Sequence, residues 1–249
     1  MKLSVIIPMY NEKAIAADCA ASLVKELEAD SLANSYEYEI VFSDDGSTDG
    51  CGDCVREYVR ANPPINGVVR VITSPENEGK GGAVRRGMLS AEGDYIMFTD
   101  CDLAYGTEII PQMFRAAVEV SEKDDKCAVM IGSRAIHKDG YAGYTFIRKL
   151  ASKVFKKLLC VAAGFKHSDS QSGIKIFRHD AAKAIFPLCT VNGWAFDFEA
   201  LMIAEKLGYT IREYPVKVIN HRESKINLMR DTFKMIRDVK EIKKRVNAM

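Results

Sequence analysis

The sequence predicts an α/β fold, with a mostly parallel central sheet flanked by helices. Two observations carry this. Short apolar runs alternate with helix-length stretches through the N-terminal half, the pattern of parallel strands joined by crossover helices. Each apolar run also ends in a polar, loop-forming motif, and in such sheets ligands bind beyond the carboxyl ends of the strands.

The first strand is Leu3-Ser4-Val5-Ile6-Ile7-Pro8, followed by Met9-Tyr10-Asn11-Glu12. The second, Tyr38 to Ser43, ends in Asp44-Asp45-Gly46-Ser47-Thr48-Asp49. The third, Val68 to Ile72, precedes Asn77-Glu78-Gly79-Lys80-Gly81-Gly82-Ala83. The fourth, Asp94 to Thr99, runs into Asp100-Cys101-Asp102. Helices fill the intervals at roughly 13–30, 49–61 and 80–91. A later strand, Cys127 to Gly132, leads into Ser133-Arg134. Four polar motifs thus converge on one crevice.

The chemistry of these motifs is legible in part. Asp100 and Asp102 place two carboxylates at a strand end, a hard-oxygen site for Mg²⁺ or Mn²⁺ that suits a diphosphate. A polar turn closing the strand is the plainer alternative. Cys101 reads as packing, because carboxylates on either side favour hard cations. Asp45-Gly46 is expected to turn the chain while Asp44 faces a ligand, with Ser47 or Thr48 capping the next helix. Gly79-Lys80-Gly81-Gly82 opens a helix, so its N–H groups and Lys80 favour an anion; a flexible helix entry fits the same residues. No Lys-Ser/Thr pair follows the glycines, which excludes a Walker loop.

The ordered series resembles the family 2 glycosyltransferases, which have the nucleotide-sugar-binding GT-A fold. It continues with Gly132-Ser133-Arg134, Asp169-Ser170-Gln171-Ser172-Gly173-Ile174-Lys175, Trp194-Ala195-Phe196-Asp197-Phe198-Glu199 and Ser224-Lys225. This set is similar to the branch that glycosylates polyprenyl phosphates, notably dolichyl-phosphate glucosyl- and mannosyltransferases. The resemblance implies a nucleotide-sugar donor held by Pro8, Tyr10, Glu12, Asp44, Asp45, Gly79, Lys80, Asp100, Cys101, Asp102 and Lys225. It implies a divalent cation on Asp100 and Asp102, and an acceptor phosphate held by Arg134 and Arg148. Asp197 and Glu199 then lie near the sugar, as contacts or as a base. Asp169, Gln171 and Trp194 contact the sugar or order its loops. Asp102, Asp197 and Arg134 are the implied catalytic groups. The implied reaction is an inverting hexosyl transfer from UDP-glucose, with GDP-mannose also fitting, to a polyprenyl phosphate. The alternative acceptor is a sugar hydroxyl. Ala104 departs from the family, whose mannosyl members usually carry a polar residue there to help hold the cation.

Composition sets the outer bounds. The 249 residues suffice for one large α/β core, and the expected organisation is a single catalytic domain over 1–230 with a C-terminal amphipathic basic helix at 225–249. A net charge of +1 argues against a general nucleic-acid binder. No signal core and no apolar run long enough to span a bilayer is visible. The seven cysteines are odd in number and dispersed, the usage of a reducing compartment, and Cys51-Gly52-Asp53-Cys54 reads as chance spacing. From Thr145 to His167 six Lys or Arg residues occur with no acid. Ile147, Leu150, Val154 and Leu158 form one apolar face there, flanked by Lys149, Lys153, Lys156 and Lys157. Lys225 to Val246 repeats the style through Met229, Phe233, Ile236, Val239 and Ile242. Such helices lie in a membrane interface or dock on their own domain. The expectation is a protein at the cytoplasmic face of a membrane, bound peripherally or through a membrane-anchoring partner.

Overall fold

The computed structural model describes residues 1–140, 167–220 and 228–249, with the side chains of all of these except 228–236. Its sheet is built from β1 (Lys2–Met9), β2 (Glu37–Asp44), β3 (Gly67–Thr73), β4 (Tyr95–Thr99), β5 (Cys127–Ser133), β6 (Ile174–Arg178) and β7 (Thr210–Pro215). The seven strands lie in the order β3-β2-β1-β4-β6-β5-β7. All neighbours pair parallel except β6, which runs antiparallel to both β4 and β5. The sheet is therefore mostly parallel, as expected, with one strand reversed.

β1 and β2 are buried at nearly every position because helices cover both faces, which is why they read as mostly apolar runs. Alternate residues serve opposite layers. Leu3, Val5 and Ile7 face the layer containing α1 (Lys13–Asn34), α2 (Cys51–Ala61) and α4 (Ile109–Lys123). Ile6, Ile96 and Phe98 face the layer containing α3 (Lys80–Ser90), α5 (His179–Ile185) and α6 (Phe196–Lys206). Gly87 lets α3 approach β1, since a side-chain carbon there would overlap Ile6.

The C-terminal helix α7 (Leu228–Ala248) buries Val239, Ile242 and Val246 in the core that contains α6. Two expectations are corrected. Helix α1 runs to Asn34, closed by Ser35 in the left-handed conformation, rather than ending near residue 30. Neither Ser47 nor Thr48 caps α2. Asp49 accepts from Cys51 N–H at 3.0 Å, because Ser47 and Thr48 are engaged with Asn11 instead. The basic stretch at 145–166, Arg148, Ser224 and Lys225 lie outside the described residues, as do the side chains of Met229, Phe233 and Ile236.

Candidate active site at the carboxyl ends of the strands

The register puts the motifs together. Met9 of β1 pairs with Asp44 of β2, which pairs with Thr73 of β3. Backbone and side-chain bonds then lock the first two loops to one another. Asn11, at φ 53°, donates its N–H to Ser47 Oγ at 2.9 Å and accepts from Thr48 N–H at 2.9 Å. Asp49 accepts from Lys13 N–H at 2.8 Å. Pro8 is buried at this end, Glu12 is half-buried, and Tyr10 stands exposed at the rim.

Asp44 and Asp45 have separate jobs. Asp44 Oδ1 accepts from Ser47 N–H at 3.0 Å, closing its own turn. Asp45 reaches the next loop, accepting from Glu78 N–H at 3.2 Å and Gly79 N–H at 2.7 Å, with Arg86 beside it at 3.3 Å. Gly46, at φ 73°, allows this approach, because a side chain there would strike the backbone of Glu76.

The glycines of the third loop serve packing. Gly81 N–H is taken by the Asn192 carbonyl at 2.8 Å, and a side chain on Gly79 or Gly81 would strike the backbone of residues 191–192. The Lys80 ammonium lies 2.6 Å from Asp100 Oδ1 and 5.5 Å from the Trp194 ring centroid. Burial alone would pull the Lys80 pKa down, but Asp100, Asp197 and Asp102 outweigh it and raise it.

Asp100 and Asp102 close β4 through a tight turn. Leu103, at φ 47°, donates its N–H to the Asp100 carbonyl at 3.0 Å, and Ala104 N–H donates to Asp102 Oδ1 at 3.1 Å. Both carboxylates are partly exposed, whereas Cys101 is buried. No group of three or more His, Cys, Asp and Glu side chains poised for a metal occurs among the described residues. A pair of accessible carboxylates nonetheless fits a hard cation that fills its remaining positions with water and phosphate oxygens.

Strand β6 brings a group to which sequence reasoning gave no role. Its N-terminal end lies beside the carboxyl end of β4, with Lys175 opposite Phe98. Lys175 is fully buried, donating to Asp197 Oδ1 and to the Ser172 carbonyl, each at 2.6 Å. Burial lowers the Lys175 pKa against the pull of Asp197. Burial likewise raises Asp197, against Lys175 and Lys80. A lysine inside the apolar run Ile174-Lys175-Ile176-Phe177 was the available signal.

On the β5 side, Arg134 is clamped by Asp169. Its Nε and NH2 donate to the two carboxylate oxygens at 2.6 and 2.8 Å, and its backbone N–H adds a third bond at 3.0 Å. Such a fork fixes the plane of the guanidinium. Gln171, two residues beyond Asp169, is half-buried, and the Tyr105 hydroxyl accepts from Gly173 N–H at 3.3 Å. Glu199 serves a different purpose from Asp197. It is fully buried and accepts from Thr190 N–H at 2.9 Å and Val191 N–H at 2.8 Å, with Arg245 as its counter-charge.

Comparison with known proteins places this arrangement. A family model described as Glycosyl transferase family 2 matches residues 4–186. A dolichyl-phosphate beta-glucosyltransferase of Dictyostelium discoideum is 34% identical over 249 residues, covering 97% of this chain and 73% of that protein. The Saccharomyces cerevisiae protein of the same name is 34% identical, covering 95% and 72%. The Homo sapiens one is 32% identical, covering 90% and 69%. Among solved structures, glucosyl-3-phosphoglycerate synthase of Mycobacterium tuberculosis, in complex with Mn²⁺, UDP-glucose and glycerol 3-phosphate, superposes with a TM-score of 0.65 at 19% identity. That match covers 97% of this chain and 78% of the other. Mannosyl-3-phosphoglycerate synthase of Rubrobacter xylanophilus gives 0.64 at 16% identity, covering 98% and 73%.

Proposed function

The chain belongs to glycosyl transferase family 2 and has the GT-A fold, and from that premise we propose that it transfers glucose from UDP-glucose to a dolichyl or related polyprenyl phosphate, inverting the anomeric carbon. The observation that carries the reading is similarity along nearly the whole chain to relatives that bear this activity in their names. A sugar hydroxyl as acceptor is not favoured by those relatives.

The nucleotide binds in the crevice above β1 and β2, with Tyr10 and Glu12 at its rim and the Asp44 turn beneath it. Lys80 approaches the diphosphate from the entry of α3, 2.6 Å from Asp100. Asp100 and Asp102 are the residues that would hold Mg²⁺ or Mn²⁺, which supplies positive charge to the departing diphosphate. Asp197, held by Lys175, orients the sugar. The acceptor phosphate lies against Arg134, whose guanidinium Asp169 keeps in one plane, and Arg148 completes that grip. One phosphate oxygen attacks C1 as the bond from C1 to the diphosphate breaks. With a second pKa near 6, that phosphate is largely dianionic at neutral pH and needs no strong general base, unlike a hydroxyl.

Residues 1–230 then form the catalytic domain, with the 225–249 helix docked on it. No described helix is long and apolar enough to cross a membrane; contact with the lipid is proposed for the basic stretch at 145–167 or for a membrane partner on the cytoplasmic face. Incubation with radiolabelled UDP-glucose or GDP-mannose, with and without dolichyl phosphate, tests the reading. Label should enter the organic phase only with UDP-glucose and dolichyl phosphate together. Label confined to water-soluble products refutes it.

A further inference from the structure

The last turn of α7 reaches back to the donor crevice. Val239, Ile242 and Val246 are buried against the α6 layer, which fixes the position of that turn. From it, Arg245 forms an ion pair with Glu199 and donates to the Thr190 hydroxyl. The remaining partners of the Glu199 carboxylate are the Thr190 hydroxyl and the N–H groups of Thr190 and Val191, which open the loop 189–195. That loop lies on the entry of α3, where Asn192 accepts from Gly81 N–H and the glycines leave no room for it to shift inward. Two residues further on, the Trp194 ring sits over Lys80, itself in contact with Asp100.

We propose that Arg245 is a positioning residue for the donor crevice: by clamping Glu199 and Thr190 it fixes the loop that seats on α3 and holds Trp194 over Lys80. The physical reason lies in the burial of Glu199. A buried carboxylate stripped of its counter-charge is strongly destabilised, and the local response is for the loop that shares that carboxylate to relax. The C-terminal helix thereby sets the geometry of a loop 55 positions away in sequence, at Thr190. The inference rests on the donor assignment above.

Trp194 is the single tryptophan of the chain, so its emission reports this loop directly. In the full-length protein, Arg245→Gln should red-shift Trp194 emission and weaken UDP binding in Mn²⁺ by about fivefold, the low end of coupling free energies between sites. Arg245→Lys, which keeps the charge, should restore most of both. A merely structural Arg245 would lower the melting temperature while leaving emission and UDP affinity at wild-type values below the transition, and that result overturns the proposal. If Arg245→Gln does not fold, the Thr190→Val variant decides the question by the same two readouts. Failure of the wild type to bind UDP at all would instead refute the donor assignment.

Discussion

Gly173→Ala should separate catalysis from stability in one substitution. Gly173 opens the turn into β6 beside the Asp100 carboxylate. A methyl carbon built on it lies 2.4 Å from Asp100 Oδ2 and 3.2 Å from Asp100 Cγ, with no other close neighbour outside that side chain. Its φ lies outside the left-handed region, so alanine meets no backbone strain. Ordinary contact begins near 3.4 Å, so the Oδ2 atom must retreat by about 1 Å, a misplacement of the size that can cost about 10²-fold in rate. That corresponds to about 2.7 kcal/mol of transition-state stabilisation. Asp100 is about a third exposed, so its carboxylate can swing away without unfolding the site. Replacing glycine where alanine fits also tends to stabilise, by about 0.4–1 kcal/mol through the unfolded chain. The expected variant therefore melts within a few degrees of wild type, yet has kcat/KM for UDP-glucose about 10²-fold lower and needs more Mn²⁺ for half-maximal rate. Gly193→Ala, where an added carbon meets nothing within 4 Å, should behave as wild type. Near-normal turnover of Gly173→Ala at limiting Mn²⁺ would refute the placement of Asp100 at the cation.

Other outcomes follow from the same geometry. Asp102→Ala should fold normally and lose about 10²- to 10³-fold in turnover, the scale for removing a group that helps stabilise developing charge; a calorimetric melt and a rate assay check both halves. Arg134→Ala should raise KM for dolichyl phosphate about 10- to 100-fold, the worth of a hydrogen bond between charged groups, with UDP affinity unchanged by calorimetry; equal loss of donor binding would move Arg134 to the donor side. The rate should fall as pH drops through about 6, where the acceptor phosphate gains a proton. Asp197 is raised by burial despite Lys175 and Lys80; a rate that stays flat as pH falls through about 6 would contradict the dianionic acceptor. Wild type should co-sediment with anionic vesicles at low salt, and replacing Lys149, Lys153, Lys156 and Lys157 by Gln should weaken that binding by up to about 4 kcal/mol; no sedimentation would remove the stretch at 145–167 from the membrane interface.

The N-terminal half of the sheet was legible because its parallel strands are mostly apolar runs, each of which stops at a polar motif. The second half was less so. Strand β6 is five residues long and carries a buried lysine at its second position, and that charge is tolerated because Asp197, distant in sequence, and the Ser172 carbonyl receive it. Helix α4 announces its start through Pro111 in its first turn but bears no site motif. Within the crevice, spacing grouped Asp197 with Glu199, yet residues two apart on a helix point to different sides. Asp197 faces Lys175, while Glu199 holds the 190–191 backbone and Arg245. Asp44 and Asp45 show the same limit. Adjacent residues of one motif diverge, one closing its own turn and the other reaching the Gly79 loop. Sequence identifies which residues gather, whereas three-dimensional neighbours decide what each carboxylate does.

The central claim is that a lipid phosphate attacks the donor sugar directly, from the face opposite the diphosphate. Its most direct test is the structure of the product formed from UDP-α-glucose and dolichyl phosphate, read by mass spectrometry for composition and by proton NMR for the anomeric coupling. The account predicts a single dolichyl phosphate glucose with a β linkage. An α-linked product, or glucose found on any atom other than the lipid phosphate, would contradict it.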